Sequence, residues 1–460
     1  MRLLHTSDWH LGRTLHGENL LAHQAAFLDW LLAQAVSHEV HAVVVAGDVY
    51  DRAVPPLDAV AVLDRALRGF AAARIPVLIT SGNHDSAVRL GFGSRLSELA
   101  GVHLRTSVAD IARPVILADE HGDVAIYGIP YLLPDAVMAD LGAERSHASV
   151  LAAATSLIRA DADGRGIGRT VVAAHAFVTG AMPSDSERDI RVGGIGDTPA
   201  SVFAGLSYVA LGHVHGQQGV SSGAAGTTVR YCGSPLAFSF SERHHAKSVT
   251  LAEIDNAGRV TTARLATPVP RPLREVRGKL DDLLARADAA AAGLAGAWVK
   301  VVLTDPVRPA SPMERLREKW PHTLVLDFDP EGALPGSATD LRRLARSADP
   351  VEICGLFVEY TSGGPADDDQ QAVLRDVIEA VQHRDPTERP GDLELAGAEP
   401  ASAASPAEQA GLAERPGLDE AGSVDEWLAN AGRSDDWLTQ AELAFPEPAS
   451  KPAGSKPAAA

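Results

Sequence analysis

Five apolar runs in this 460-residue chain each stop at a side chain able to bind a metal, and that repetition limits the fold more than any other feature. Leu3-Leu4-His5-Thr6 leads into Asp8-Trp9-His10, and Val43-Val44-Val45-Ala46 leads into Gly47-Asp48. Ile75-Pro76-Val77-Leu78-Ile79-Thr80 ends at Ser81-Gly82-Asn83-His84-Asp85. Thr170-Val171-Val172-Ala173-Ala174 ends at His175, and Tyr208–Leu211 ends at Gly212-His213-Val214-His215. Continuous β-branched runs of this length read as strands covered on both faces. Strands over 2–7, 41–47 and 75–80 alternate with helices over about 19–38, 56–73 and 92–100, as in an α/β sheet with crossovers. In the first helix Leu20, Leu21, Phe27, Leu28, Leu31 and Leu32 keep a 3.6-residue period.

Every candidate ligand therefore lies at or just past the carboxyl end of a strand, and open α/β sheets bind ligands in the crevice beyond those ends. Asp8 and His10 are two apart, which in an extended segment turns both side chains to one side. His213 and His215 repeat that spacing. The residues accommodate two ions. One takes Asp8, His10 and His215, the other takes Asn83, His175 and His213, and Asp48 bridges them. A carboxylate has two oxygens and can partly neutralise two cations held about 3.5–4 Å apart. Imidazole, carboxylate and amide together favour Mn²⁺, Fe²⁺ or Zn²⁺ over calcium or magnesium, which prefer all-oxygen shells. A lone histidine at a strand end is ordinarily a core or surface residue. Five such motifs in succession argue for a dinuclear site.

Val124–Pro130 adds a strand, and a polar, alanine-rich helix over about 134–162 leads to strand 170–174. Val229–Cys232, Ser248–Ile254 and Val260–Ala266 read as successive antiparallel strands of a second sheet facing the first. Thr267-Pro268-Val269-Pro270-Arg271-Pro272 is proline punctuation and marks a domain boundary. Beyond it, strand, helix (Asp281–Ala291), strand (Trp298–Leu303), helix (Pro312–Trp320) and strand (Thr323–Phe328) suffice for a small α+β module. Asp367 through His383 form an amphipathic helix with Val373, Leu374, Val377, Ile378 and Val381 as its apolar stripe. The predicted domains are 1–267, 268–363, a helix at 364–385, and an Ala/Pro/Glu-rich tail, 386–460, read as disordered. The tail holds one echo, Asp425-Glu426-Trp427-Leu428 and Asp435-Asp436-Trp437-Leu438, which reads either as part of a merely solvating tail or as a pair of acidic docking peptides.

The formal charge of −19 speaks at first against a nucleic-acid partner. Residues 361–460 carry a net −13 of it, which leaves −6 on the folded part, and nucleic acid stays open. No apolar run approaches the ~20 residues that span a bilayer. The first residues enter a strand directly, leaving no room for a cleaved signal peptide. Two cysteines, Cys232 and Cys354, cannot make a disulfide framework, so the expected compartment is a reducing cytoplasm without membrane association.

Asp8-x-His10, Gly47-Asp48-x-x-Asp51, Gly82-Asn83-His84-Asp85, His175 and Gly212-His213-x-His215 resemble the motifs of the calcineurin-like metallophosphoesterase superfamily. Met1–Gly12, Gly47-Asp48-Val49-Tyr50-Asp51-Arg52, Ser186-Glu187-Arg188, Val192-Gly193-Gly194, Gly233-Ser234-Pro235-Leu236 and Ser239-Phe240-Ser241-Glu242 are similar, within it, to SbcD-type nuclease subunits. The resemblance covers about residues 1–385 and does not extend to the tail. It implies a four-layer α/β sandwich, two facing mixed sheets flanked by helices, with an α+β domain that caps DNA. It also implies a nuclease that depends on Mn²⁺, with Mg²⁺, Fe²⁺ or Zn²⁺ as the alternative ions. The activities implied are 3′→5′ exonuclease action on duplex ends and endonuclease action on single strands and hairpins, in end processing, repair and recombination near the nucleoid. The implied partner is an SbcC-type coiled-coil ATPase, in a heterotetramer containing two copies of this chain. Relatives often place histidine where Asp51 stands, so Asp51 is expected to contact ligands rather than metal.

His84 is the imidazole left over once both ligand sets are filled. A hydroxide bridging the metals would attack phosphorus in line, with His84 stabilising the transition state or protonating the departing 3′-oxygen. Asp85 either orients His84 or caps the following turn. Arg271, Arg274, Arg277, Lys279, Arg308, Arg315, Arg317 and Lys319 are candidate phosphate contacts, interleaved with acids such as Glu275, Asp281 and Glu314. No Gly-x-x-x-x-Gly-Lys-Ser/Thr loop occurs, so no nucleotide is expected on this chain and any ATP dependence must come from the partner. The 367–383 stripe is either the candidate docking helix for the partner or packs on this chain's own capping domain. Two other readings compete: a small-molecule phosphodiesterase or phosphatase on the same fold, and a non-catalytic scaffold for DNA ends. A scaffold would be expected to have lost a ligand, and none is missing.

Overall fold

Ala42–Ala46 is buried along its whole length because both faces of its sheet are covered. Val43 and Val45 pack with Phe27, Leu28, Leu31, Leu63 and Phe70 of two helices, Leu21–Ser37 and Leu57–Ala72. Ala42 and Val44 face the other way, onto Val124, Ile126, Val171, Ala173, Tyr208 and Ala210 of a second sheet. The outer face of that sheet carries Tyr127, Val172, Val209 and Leu211, against Val150, Leu151, Ala154 and Ile158 of helix His147–Arg165. Period-two alternation in each strand thus builds helix, sheet, sheet and helix in four layers. Each buried Val, Leu or Phe adds about 1.5–3 kcal/mol of burial, so the core between the sheets fixes the strand ends firmly.

The computed structural model describes residues 1–187, 198–285, 294–330, 349–362 and 364–382. Met1–His383 forms one unit; the other, Arg384–Ala460, lies outside the described residues, and so does the expected disordered tail with its Trp-Leu echo. In chain order the strands of the two large sheets and one small hairpin are Arg2–Thr6 (β1), Thr14–Leu15 (β2), Glu18–Asn19 (β3), Ala42–Ala46 (β4), Val77–Thr80 (β5), Val102–Arg105 (β6), Val115–Asp119 (β7) and Gly122–Ile129 (β8). They continue with Thr170–His175 (β9), Tyr208–Gly212 (β10), Gln218–Val220 (β11), Thr228–Tyr231 (β12), Ser248–Ile254 (β13) and Val260–Ala266 (β14). The first sheet runs β14-β13-β1-β4-β5-β6 and the second β11-β12-β10-β9-β8-β7. β1, β4, β5 and β6 are parallel, as are β8, β9, β10 and β12.

Four sequence expectations need correction. β13 and β14 pair antiparallel as expected, but they join the first sheet rather than the second, β13 lying beside β1 with His5 opposite Thr250. That edge of β1 would otherwise bury unpaired backbone groups, and β13 suits it because Val249 and Leu251 face the helices while Ala252 and Ile254 face inward. β12 runs parallel to β10, not antiparallel. The helix predicted over 92–100 is instead three short turns, Ala87–Leu90, Ser94–Ser97 and Glu98–Ala100, followed by the unforeseen edge strand β6. The long helix over 134–162 divides into Pro134–Leu141 and His147–Arg165, where Ser146 Oγ accepts the Ser149 N–H at 3.1 Å and caps the second.

The C-terminal module is a parallel sheet of Leu273–Gly278 (β15), Trp298–Leu303 (β16) and Thr323–Phe328 (β17). Its core is Leu280, Val299, Val301, Leu303, Leu316 and Trp320, the last two from helix Pro312–Lys319 and its C-cap. Of the helix expected over Asp281–Ala291, residues beyond 285 lie outside the described ones. Leu273 and Trp298 also meet Leu15, Leu20, Leu236, Phe238 and Phe240, so one apolar cluster joins this module to the two-sheet body. Helix Pro350–Ser362 was not foreseen; it packs with the expected amphipathic helix, observed at Asp368–Gln382. Among the described residues both cysteines are free, Cys232 fully buried. No helix of the described residues is long and apolar enough to cross a membrane.

Candidate metal centre

The ends of β1, β4, β5, β9 and β10 meet in one crevice, where Gly212 of the second sheet approaches Ala46 of the first. Backbone bonds lace the first two together: the Asp8 N–H donates to the Gly47 carbonyl and the His10 N–H to the Asp48 carbonyl, both at 3.0 Å. Asp8, His10, Asp48 and His213 all adopt left-handed φ, between 44° and 103°. Such conformations cost roughly 1–3 kcal/mol each and persist where the surroundings over-determine them. Gly82 and Gly212 let the loops close. A Cβ on Gly82 would lie 2.1 Å from Asp48 Oδ1, and one on Gly212 would lie 1.9 Å from the Ala46 carbonyl oxygen.

Asp8, His10 and His215 form one cluster of converging ligand atoms, all buried; Asp8, Asp48 and His175 form another, and His10, Asp48 and His84 a third. Asp48 belongs to two of them, the position expected of a bridge. Its Oδ2 is 3.6 Å from His10 Nε2 and 3.5 Å from His175 Nε2. Asn83 Oδ1 lies 2.9 Å from His175 Nε2 and 3.2 Å from His213 Nδ1. The crevice therefore brings all seven expected ligands together.

Proton positions test whether cations fit. His175 Nδ1 is 2.9 Å from the Ala46 carbonyl, so it carries the proton and Nε2 presents a lone pair. That lone pair faces two further acceptors, Asn83 Oδ1 and Asp48 Oδ2. His215 Nδ1 is 2.7 Å from Ser186 Oγ, and its Nε2 faces His10 Nε2 at 3.2 Å. Acceptors aimed at one another in a buried space repel unless a cation sits among them. Burial, and then the neighbouring imidazole of His215 and guanidinium of Arg13, push the His10 pKa well below its usual value, which keeps it neutral and able to ligate. Burial, together with the carboxylates of Asp85 and Asp8, raises Asp48, a repulsion that divalent cations relieve. The donor set fits two such ions.

A calcineurin-like phosphoesterase family model matches residues 1–217, and a type 5 capsule protein repressor C-terminal domain model matches residues 269–361. The chain is 32% identical over 295 residues to the SbcD subunit of the SbcCD nuclease of Escherichia coli K12, covering 62% of this chain and 73% of that one. It is 36% identical over 286 residues to the SbcD subunit of Bacillus subtilis (59% and 71%) and 28% identical over 329 residues to that of Staphylococcus saprophyticus (71% and 84%). The chain belongs to the SbcD family.

Within this SbcD-family site the structure sharpens three sequence readings. Asp85 accepts N–H bonds from Val49 (3.1 Å), Tyr50 (2.9 Å) and Gly82 (2.9 Å), so its carboxylate ties the β4 loop to the β5 loop. His84 is oriented elsewhere, its Nδ1 standing 2.8 Å from the Asp51 carbonyl oxygen. The Asp51 carboxylate lies 3.6 Å from His10 Nδ1. Residues missed from sequence are Ser186, Glu242 and Lys247 behind His215; burial works to raise the Glu242 carboxyl, and the Lys247 ammonium and the His215 ring together outweigh it and hold it ionised. Ser186 and Glu242 lie in runs singled out above, to which no role was assigned, and Lys247 lies in none.

The basic residues of the C-terminal module are less available than their number suggests. Arg277 pairs with Asp329 and Arg315 with Asp281, both at 2.6 Å, and Arg271 donates to the Gly296 carbonyl at 3.2 Å. Arg308 lies over the Phe328 ring. Arg317 donates to the Thr323 carbonyl at 3.2 Å, and Arg274, Lys279 and Lys319 are exposed.

Proposed function

We infer that this chain is a metal-dependent DNA nuclease acting with an SbcC-type ATPase, with Asp8, His10 and His215 on one divalent cation, Asn83, His175 and His213 on the other, and Asp48 between them. One observation carries the site assignment: buried imidazole, carboxylate and amide acceptors from both sheets converge with their lone pairs on one crevice. When bound, the cations supply an activated water and neutralise charge on the phosphodiester. The chain's residues do the rest. Asp8 is locked by N–H bonds from His213, and Asp85 clamps the loops that carry Asp48 and Asn83. His84, its ring 4.6 Å from that of His10, is as imidazolium the proton donor to the departing 3′-oxygen, giving the Nε2 proton while its Nδ1–H stays on the Asp51 carbonyl. Mn²⁺ is the preferred ion, cleavage runs 3′→5′ on duplex ends, and hairpins and single strands are cut internally. The compartment that follows from DNA and such a partner is the cytoplasm.

The segments bearing Leu57, Val88, Phe92, Leu96 and Leu99 support a homodimer, since these apolar side chains are 74–88% exposed. Helix Asp368–Gln382 supports partner docking: Val373 is 58% exposed, and Leu374, Val377 and Ile378 are only half-buried. The domain limits proposed are 1–267 for the nuclease body, 268–363 for the DNA-capping module and 364–385 for the docking helix. Arg271, Arg274, Arg277, Arg315, Arg317 and Lys319 are the phosphate-contact candidates, with Arg277 and Arg315 first leaving the carboxylates of Asp329 and Asp281.

The deciding experiment supplies purified chain plus SbcC-type partner with 3′- and 5′-labelled duplex and hairpin DNA, in Mn²⁺ or Mg²⁺, with and without ATP. Expected is Mn²⁺-dependent shortening from 3′ ends and hairpin opening. Hydrolysis of a nitrophenyl phosphodiester without any DNA cleavage would instead indicate a small-molecule phosphodiesterase. Deleting residues 365–385 abolishes co-purification with the ATPase if that helix docks; unchanged co-purification rejects the docking assignment.

A further inference from the structure

Behind His215, on the side away from the crevice, three buried side chains join in a row. Ser186 Oγ is 2.7 Å from His215 Nδ1 and 2.6 Å from Glu242 Oε1. Glu242 Oε1 also accepts the Phe238 N–H at 3.0 Å, and its other oxygen accepts from Lys247 Nζ. Lys247 in turn donates to the His215 carbonyl at 3.1 Å and to Ser234 Oγ at 2.8 Å. His215 and Glu242 are 1% exposed, Lys247 6% and Ser186 8%. A fourth side chain, Glu187, accepts the His215 backbone N–H at 2.6 Å.

The row has a direction. Ser186 owns one hydroxyl proton, and Glu242, already receiving an N–H and an ammonium, is an acceptor. Ser184 Oγ, 2.9 Å from Ser186 Oγ, gives its own proton to Glu187, so the Ser186 proton goes to the charged acceptor, Glu242, and the Ser186 lone pair accepts the Nδ1–H of His215. That leaves the Nε2 lone pair of His215 aimed at Asp8 and His10. His175 and His84 have their tautomers set by backbone carbonyls, of Ala46 and Asp51. His215 differs, because side chains set it and substitution can remove them.

We propose that Ser186, Glu242 and Lys247 are positioning residues that fix the tautomer and ring angle of His215 and thereby set the affinity of the Asp8–His10–His215 metal position, leaving the Asn83–His175–His213 position unaffected. The proposal rests on the dinuclear reading above. It gives a physical task to two stretches, Ser186-Glu187-Arg188 and Ser239-Phe240-Ser241-Glu242, that the metal shells alone leave without one. Partners of this kind behind a ligating histidine are ordinarily worth 10–100-fold in metal affinity.

The test is Mn²⁺ titration of the full chain by calorimetry, with free Mn²⁺ followed in parallel by electron paramagnetic resonance. Variants are Ser186→Ala, Ser186→Thr, Glu242→Gln and, to keep the buried charges balanced, the double variant Glu242→Gln/Lys247→Met. His215→Ala and Asn83→Ala report the two metal positions separately. Expected are two Mn²⁺ per wild-type chain and a 10–100-fold weakening of one position in Ser186→Ala and the double variant. Ser186→Thr, which keeps the hydroxyl, should restore it. Two unperturbed positions in Ser186→Ala, or equal weakening of both, overturns the proposal while leaving the dinuclear site standing. Fewer than two Mn²⁺ in the wild type, or no change in His215→Ala, overturns the dinuclear reading itself. A thermal melt of each variant identifies any that fails to fold, and the Ser186→Ala and Ser186→Thr pair decides even if Glu242→Gln does not fold.

Discussion

Replacing Gly212 by alanine attacks the metal centre without altering a ligand. A Cβ there would sit 1.9 Å from the Ala46 carbonyl oxygen and 2.9 Å from Ser7 Cβ, both in the other sheet or its adjoining loop. Ordinary contact begins at 3.4 Å, so one strand end must retreat by about 1.5 Å, an overpacking that costs around 1–3 kcal/mol. At about 2–4 °C per kcal/mol for a domain of this size, the melting temperature should fall by roughly 2–12 °C and the protein should remain folded at 25 °C. The catalytic loss should be larger than that instability implies, because His213 and His215 move with the strand end, away from Asp8 and Asp48. A misplacement of about 1 Å is worth roughly 10²-fold in rate. The assay is Mn²⁺-dependent hydrolysis of a nitrophenyl phosphodiester beside a thermal melt. Gly219→Ala is the control, since its Cβ would meet nothing nearer than 4.0 Å. Wild-type activity and Mn²⁺ affinity in Gly212→Ala would refute the claim that the close approach of the sheets sets the metal geometry.

Three further outcomes are expected. His84→Gln should keep Mn²⁺ and DNA binding while cleavage falls by about 10²–10⁴-fold, measured by single-turnover digestion and a separate binding titration. Asp119 accepts two bonds from Arg169, at 2.7 and 2.6 Å, and lies 2.7 Å from the N-terminal ammonium. The Arg169 hydrogen bonds, with those from the N-terminus, hold its carboxyl well below the usual range. Its stabilisation is therefore fully present above the unfolded pKa of about 4 and fades as pH drops below it. Asp119→Asn should cost about 3 kcal/mol at pH 7 by denaturant unfolding, with the gap to wild type flat above about pH 5 and narrowing below about pH 4. Phe92→Asp/Leu96→Asp should convert a dimer to monomer in sedimentation without lowering the melting temperature, because both side chains are largely exposed. A dimer that survives the change would place the interface elsewhere.

What could be read from the sequence follows from which forces are local. Runs such as Val43–Ala46 declare a doubly covered strand by themselves, and a histidine or aspartate at each run's end is a positional signal that needs no partner to be seen. Strand pairing is not local. Nothing within Ser248–Ile254 says that its neighbour is β1, more than two hundred residues away, rather than the strand that precedes it in sequence. β6 escaped notice because four residues after broken helical turns carry too little pattern, and helix Pro350–Ser362 because its apolar residues do not form one clean stripe. In the site, the residues that converge were legible but their orientation was not. That Asp85 clamps loops, that Asp51 turns His84 through its carbonyl, and that Ser186 joins His215 to Glu242 are facts of tertiary contact between distant stretches. The left-handed backbone at Asp8, His10, Asp48 and His213 is likewise invisible in residues that are not glycine.

The most direct test of the dinuclear centre is anomalous diffraction from crystals of the chain grown with Mn²⁺. Two peaks are expected about 3.5–4 Å apart, one ringed by Asp8, His10 and His215, the other by Asn83, His175 and His213, with Asp48 touching both. A single peak, or a second peak outside the Asn83, His175 and His213 ring, would contradict the account.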